Sequence, residues 1–452
     1  MEAGINAHRK KTVCLVSLGC PKNLVDSEVI LGYLQQNGFK ITTRRETAEI
    51  IIINTCAFIE GATQESLQAI FESAQYKKGG GCRILIVAGC LPQRYRDTLR
   101  KELPEVDLFI GTGELHRIAG LIDRFEHHSL TNGMQVGRPD FLLDHGTPRL
   151  LSTPSYTAYV KIAEGCSNAC SYCLIPSLRG RYRSRKTDSI FKEAETLAQR
   201  GVKEINLISQ DTTLYGKDLS DGSDLTSLLK CMVHIPGIEW IRLLYCHPEH
   251  LPDELISLMA AEKKICPYLD LPIQHVSSSI LKRMNRRGNQ RELGRTLSRL
   301  REKNPHITLR TTVMVGFPGE TEEEFHELMH FIEEVKFDHL GVFRYSREEG
   351  TPAAKLKKQV PQRTKDKRHN LIMKTQSLIS LKKNQERIGS HIPVLIEEQV
   401  PHKGYCLKGR ASFQAPEIDG LVYLTRGKAH IGEIVEAKVT GASEYDLIGV
   451  VI

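Results

Sequence analysis

The sequence predicts an α/β protein with an all-β tail. It reads as an N-terminal parallel-sheet α/β domain, a second set of β/α units curling into a partial barrel, and a small β-barrel at the C-terminus. Three observations carry this. Three apolar runs near the N-terminus alternate with helix-like stretches, six more strand-like runs alternate with helical ones between about 156 and 350, and only short β-type runs follow Asn384. A chain of 452 residues suits two to four domains of ordinary size.

The first three runs, VCLVSLGC, EIIIINTC and RILIVAGC, are apolar without alternation and each ends in cysteine. Such runs suit strands buried on both faces of a parallel sheet. The stretches between them, NLVDSEVILGYLQQNGF and ATQESLQAIFESAQY, have helical patterning. Right-handed crossovers then bring all three strand ends to one edge. The N-terminal domain spans 10–128, and residues 129–151, rich in Gly, Pro and Thr, read as a linker.

The second α/β domain spans 152–383. Its strand candidates are AYVKIAE, EINLIS, WIRLLY, YLDLPI, LRTTVMVGFP and HLGVFRYS, separated by helical patterns such as DSIFKEAETLAQRG and TEEEFHELMHFIEEV. Functional groups belong at the C-terminal strand ends of such a fold. Residues 353–383 are basic and helix-prone, either a solvated helix face or an RNA contact. From 384 to 452 the runs IPVLIEE, GLVYLT, IGEIVEAKVTGA and DLIGVVI predict a small β-barrel.

No apolar run is long enough to span a membrane, and the N-terminus lacks a signal-peptide core. A reducing, cytoplasmic setting is expected, in which the 12 cysteines are free thiols or metal ligands. The net charge of +8 fits an RNA-rich assembly or a mildly basic enzyme.

The segment AEGCSNACSYCLIP places Cys166, Cys170 and Cys173 in C-x3-C-x2-C spacing. Structural zinc takes four ligands, usually from two cysteine pairs, and no partner pair stands nearby. Three thiolates on a cubane cluster leave one iron open for substrate or cofactor. Another three, Cys20, Cys56 and Cys90, end the three N-terminal strands at separations of 36 and 34 residues, about one βα unit each.

With the strand AYVKIAE before it and Tyr172 just ahead of its third cysteine, the first of these segments resembles the signature of radical S-adenosylmethionine (SAM) enzymes. The resemblance implies a [4Fe–4S] cluster on Cys166, Cys170 and Cys173. Its open iron would chelate the amino and carboxylate groups of SAM, and an electron from it would cleave the sulfonium to a 5′-deoxyadenosyl radical. Gly316 and Gly319 of GFPGET, Gln210, Asp211 and Arg310 are the expected cofactor contacts, with Arg310 facing the cofactor carboxylate.

Together with Cys20, Cys56, Cys90 and the tail, nearly the whole chain resembles the methylthiotransferase branch of those enzymes. That resemblance implies an auxiliary [4Fe–4S] cluster on Cys20, Cys56 and Cys90, whose bound sulfur is methylated and delivered to carbon, and a C-terminal TRAM domain. The stretches SLGCPKNLVDSE, EGCSNACSYCLIPSLRGRYRSR, YLDLPIQH and APEIDG are similar to the ribosomal-protein members. They imply methylthiolation of an aspartate β-carbon in the small-subunit ribosomal protein numbered twelve, free or within the ribosome. No catalytic residue beyond the cluster ligands is expected. The implied enzyme is a cytoplasmic monomer without a membrane partner, and it takes electrons from a donor such as flavodoxin or ferredoxin. The rivals are a tRNA adenosine methylthiotransferase, a non-catalytic iron–sulfur electron carrier, and a zinc-stabilised RNA-binding module. The tail has nine acids against seven basic residues, which favours a basic protein partner over tRNA.

Overall fold

The computed structural model describes residues 11–130, 133–400 and 404–452. It divides into two compact units. The first comprises residues up to Thr153 with Ala163–Asn168 and Cys173–Arg185, and the second comprises Pro154–Ile162, Ala169–Tyr172 and Lys186–Ile452.

In the first unit β1 (Thr12–Ser17), α1 (Pro21–Gln36), β2 (Lys40–Ile41), β3 (Ile50–Thr55), α2 (Glu60–Gly79), β4 (Ile84–Gly89), α3 (Cys90–Glu102), β5 (Leu108–Gly111), α4 (Ile118–Glu126) and β6 (Met134–Gln135) follow in order. The sheet is parallel, in the order β2-β1-β3-β4-β5-β6. Every residue of β3 and β4 is buried. Alternate residues serve opposite faces: Ile51 and Ile53 join α2 and α3 in one core, while Ile50 and Ile52 join α1 and α4 in the other. Double-sided burial is why these runs show no alternation.

The sheet has six strands where the sequence reading found three. The expected linker supplies β6. The rest of that segment is held against α1: Arg149 donates to Glu28, as do the amide and hydroxyl of Ser152.

The chain continues through β7 (Thr157–Lys161), β8 (Ala163–Glu164), α5 (Ile175–Arg179), β9 (Arg183–Ser184), α6 (Thr187–Gln199), β10 (Glu204–Ile208), α7 (Leu225–Met232), β11 (Trp240–Leu243), α8 (Asp253–Ala261), β12 (Ile265–Asp270), α9 (Ser278–Arg283), α10 (Gln290–Lys303), β13 (Thr308–Val315), α11 (Glu322–Val335) and β14 (His339–Arg344). Strands β14-β13-β12-β11-β10-β7 form one parallel sheet, so all six expected strands are present and in one layer. Leu174 and Leu178 of the α5 segment pack into the first unit's core, which is why residues 173–185 belong to that unit.

The basic stretch forms α12 (Gln362–Glu386). It is not a uniformly solvated face. Lys365 is buried and donates to the Tyr345 carbonyl at 2.7 Å, and Arg368 is buried against Glu320 and Glu322.

The tail is a closed barrel of β15 (His391–Gln399), β16 (Leu407–Ala411), β17 (Val422–Leu424), β18 (Ile434–Ala442) and β19 (Leu447–Val451), in the order β15-β16-β17-β19-β18. The sequence reading missed β16, LKGRA, because its basic residues look solvated. Arg410 is instead 1% exposed. It donates to Glu204 Oε2 at 2.7 Å and to Glu397 at 2.8 Å, while Arg242 holds Glu204 Oε1 at 2.8 Å and the Ser412 carbonyl at 2.7 Å. Nearby, Asp419 accepts from Arg310 and from the Tyr268 hydroxyl, each at 2.7 Å. The small barrel is thus docked on the α/β core by buried charges. Burial alone would raise the Glu204 carboxyl, but Arg410 and Arg242 outweigh it and hold it down at about 2.

Arg410→Met should cost about 3–5 kcal/mol, because it leaves a buried carboxylate short of a partner. Urea unfolding followed by Trp240, the chain's one tryptophan and the first residue of β11, measures this. The folded value for Glu204 lies below its unfolded value of 4.5, so its contribution is present above pH 4.5 and lost as pH falls through about 2. Stability should fall across that window, and less steeply in Arg410→Met.

Candidate functional site

The first cysteine trio is built by neighbouring strands. Cys20, Cys56 and Cys90 each follow the C-terminal end of one of β1, β3 and β4, which are adjacent in the sheet. Cys20 is the N-cap of α1, with extended backbone, and its carbonyl accepts from the amides of Asn23 and Leu24. Cys56 exchanges backbone hydrogen bonds with the Ser66 hydroxyl on α2. Cys90 opens α3 directly after Gly89, whose φ is +94°. A Cβ on Gly89 would lie 2.4 Å from Asn54 Oδ1, and one on Gly19 would lie 2.6 Å from Cys56 Cβ.

A buried polar frame supports the trio. Asn23 Nδ2 donates to the carbonyls of Leu18 and Asn54, and Asn54 Nδ2 returns to the Asn23 carbonyl and the Ser27 hydroxyl. Thr55 bridges β3 to the Ala88 carbonyl and the Leu91 amide.

The thiols differ electrically. Burial pushes Cys56 up to about 12, with Cys90 adding to the rise. Burial also raises Cys90, against the pull of Arg179. Desolvation would raise the partly exposed Cys20 as well, but Lys22, Arg179 and the helix-start amides bring it below its ordinary value. The trio therefore needs added positive charge to become three thiolates, which a metal or cluster supplies. Among the described residues, the one group of three metal-ligating side chains gathered within 4.8 Å is Asp211, His247 and His250.

The second trio occupies the loop between β8 and α5. The Cys166 amide donates to the Gly180 carbonyl at 3.1 Å, and the Cys173 sulfur accepts from the Ile175 amide at 3.4 Å. Cys170 lies in the second unit beside the guanidinium of Arg286. The loop around it is pinned there: Ser171 donates to the carbonyls of Met284 and Arg283, and Asn285 donates to the Ala169 carbonyl.

Gln210 and Asp211 follow β10. Asp211 accepts from the Thr213 hydroxyl at 2.7 Å and faces His250 Nδ1 at 3.1 Å. Burial would raise its carboxyl, but His250 and Thr213 bring it below the usual range. His247 stacks on His250 at 4.6 Å, and burial with the nearby Arg286 pushes it down to about 3, so it is neutral. The sequence reading missed both histidines, although their H-x2-H spacing in HPEH was a signal.

Gly316 and Gly319 lie in the turn from β13 to α11, both at positive φ. Glu320 accepts from the Gly316 amide and pairs with Arg368, and its other oxygen faces His275 Nε2 at 3.5 Å. The Arg310 guanidinium pairs with Asp419 of the small barrel, with Asp270 3.8 Å away.

Three regions match known families: the uncharacterized protein family UPF0004 over residues 12–111, the radical SAM superfamily over 160–332, and the TRAM domain over 388–452. The ribosomal protein uS12 methylthiotransferase RimO of Geotalea uraniireducens is 53% identical over 98% of this chain and 99% of its own. That of Geobacter sulfurreducens is 52% identical over 99% and 100%. Among solved structures, the radical SAM methyltransferase TsrM from Kitasatospora setae, with cobalamin and a [4Fe–4S] cluster bound, aligns with a TM-score of 0.56 at 16% identity, covering 76% of this chain and 77% of its own. The cobalamin-dependent radical SAM enzyme OxsB aligns at 0.52 and 13%, covering 82% and 56%. At such identities the likeness concerns the fold.

Gly89→Ala should destabilise the protein by at least about 1 kcal/mol, because alanine resists that backbone and its methyl strikes Asn54. Gly120→Ala, inside α4 with open space around it, should be neutral or stabilising by up to about 1 kcal/mol. Parallel denaturant titrations of the two variants check the contrast.

Proposed function

The chain belongs to the RimO family of ribosomal protein uS12 methylthiotransferases, and on that premise we propose that it transfers a methylthio group to the β-carbon of one aspartate in uS12. The observation that carries this is the pair of cysteine trios, each one ligand short of a closed site. Cys20, Cys56 and Cys90 hold the auxiliary [4Fe–4S] cluster, and Cys166, Cys170 and Cys173 hold the cluster that binds SAM. When bound, the clusters and SAM supply the radical and the activated sulfur, chemistry that no polar side chain performs on an unactivated C–H bond.

The protein's own part is to hold and shield. The frame of Asn23, Asn54 and Thr55 fixes the first trio, and the Met284–Asn285 segment fixes the middle of the second. Gly316 and Gly319, with Glu320 securing their turn, give the cofactor a close backbone approach. Gln210 and Asp211 stand at a C-terminal strand end, where this fold gathers its ligands. The functional domains are 10–128, 152–383 and a TRAM domain at 384–452, joined by 129–151. The TRAM barrel meets uS12 rather than tRNA: its acids outnumber its basic residues, and Arg410 is withdrawn into the core. The enzyme works in the cytoplasm as a monomer, on uS12 free or in the ribosome, with a flavodoxin or ferredoxin as reductant. Among the described residues no helix is long and apolar enough to cross a membrane.

Anaerobic reconstitution should load about eight irons per chain, and replacing either trio with alanine should halve that. With dithionite, SAM and isolated uS12, the wild type should add the mass of one methylthio group and release 5′-deoxyadenosine. The Cys20/Cys56/Cys90 alanine variant should still release 5′-deoxyadenosine but leave uS12 unmodified, and the Cys166/Cys170/Cys173 variant should do neither. Stoichiometric zinc without iron, or modification of tRNA in place of uS12, overturns the reading.

A further inference from the structure

We propose that Arg179 is a positioning residue for the auxiliary cluster, setting that cluster's reduction potential through a charge balanced by Asp26. The inference rests on the reading that Cys20, Cys56 and Cys90 hold a cluster. Arg179 ends α5, six residues beyond the last cysteine of the other trio, yet its side chain reaches the first trio. Its Nη2 lies 3.7 Å from the Cys90 sulfur and donates to Asn23 Oδ1 at 3.1 Å. Its Nη1 pairs with Asp26 and lies 3.6 Å from Glu164. Arg179 and Asp26 are both buried.

A guanidinium has a planar fork and keeps its charge at any working pH. Here one arm touches the thiolate side and the other is tied to α1, the helix that Cys20 caps. Charge and hydrogen bonds at cluster sulfurs set the potential of an iron–sulfur centre, and burial strengthens both. One fixed positive charge beside Cys90 favours the reduced cluster, which carries one more negative charge. The Asp26 carboxylate offsets part of that effect. Removing either charge therefore shifts the potential in opposite directions, a signature that a purely structural role does not produce.

The test uses the full chain in a Cys166/Cys170/Cys173→Ala background, so that only the auxiliary cluster remains. Arg179→Met, Arg179→Lys and Asp26→Asn are each reconstituted, assayed for iron and titrated potentiometrically with electron paramagnetic resonance detection. Arg179→Met should lower the ratio of reduced to oxidised cluster about tenfold at fixed solution potential, equivalent to about 59 mV for one electron. Asp26→Asn should raise the ratio, and Arg179→Lys, which keeps the charge, should recover most of the loss. Unchanged potentials in Arg179→Met and Asp26→Asn with iron retained overturn the proposal. So does loss of iron from Arg179→Met while Asp26→Asn keeps the parent potential. Absence of iron from the parent background itself overturns instead the assignment of the first trio.

Discussion

Parallel strands end together, and the first cysteine trio exists because of that. β1, β3 and β4 are hydrogen-bonded neighbours running the same way, so a cysteine placed just past each strand reaches one edge without any long loop. Loops would have to be ordered at an entropic cost for each residue, whereas strand ends come already fixed by two cores. The same constraint explains the rigidity around the trio. Gly89 admits the turn into α3, and the asparagine frame ties α1 to β3 behind the cysteines.

The second recurring element is the arginine set against a partner inside the fold. Arg179 and Arg286 each stand beside a cysteine of a different trio, and Arg242 and Arg410 share one glutamate in the core. These guanidiniums do different work. The first two face sulfur, whose charge changes with metal binding and redox state. The second two face a carboxylate whose charge never changes under working conditions, and their effect is to hold one domain against another.

Much of this was legible in the sequence because the apolar runs and the cysteine spacing are local signals. The six strands of the α/β core and the helices between them stand where the patterns put them, and Cys20, Cys56 and Cys90 follow three adjacent parallel strands. What escaped was set by tertiary contact. β16 hid because Arg410 looks solvated until Glu204 is brought to it from 206 residues away. β5 and β6 are short, and β6 lies in a stretch whose composition says linker. The partner of Arg310 was hidden for the same reason: nothing in the local sequence reveals that Asp419, beyond three further strands and two long helices, pairs with it. His247 and His250 escaped because a histidine pair in a loop has many ordinary explanations, and only the fold sets Asp211 beside it.

The docked barrel also bears on how the chain is made. Glu204 and Arg242 are 0% exposed, yet two of the groups that satisfy them, Arg410 and the Ser412 carbonyl, leave the ribosome about two hundred residues later. During synthesis the α/β core therefore passes through a stage with all its strands in which Glu204 and Arg242 have each other but lack these later partners. Its final stability arrives only with the last segment of the chain. Nascent chains that stop short of β16 are left with a defect at the centre of the fold, the kind of partly finished species that chaperones and proteases remove. The small barrel acts as a seal on completed molecules, so that the domain built to handle radicals becomes durable only once the whole polypeptide is present.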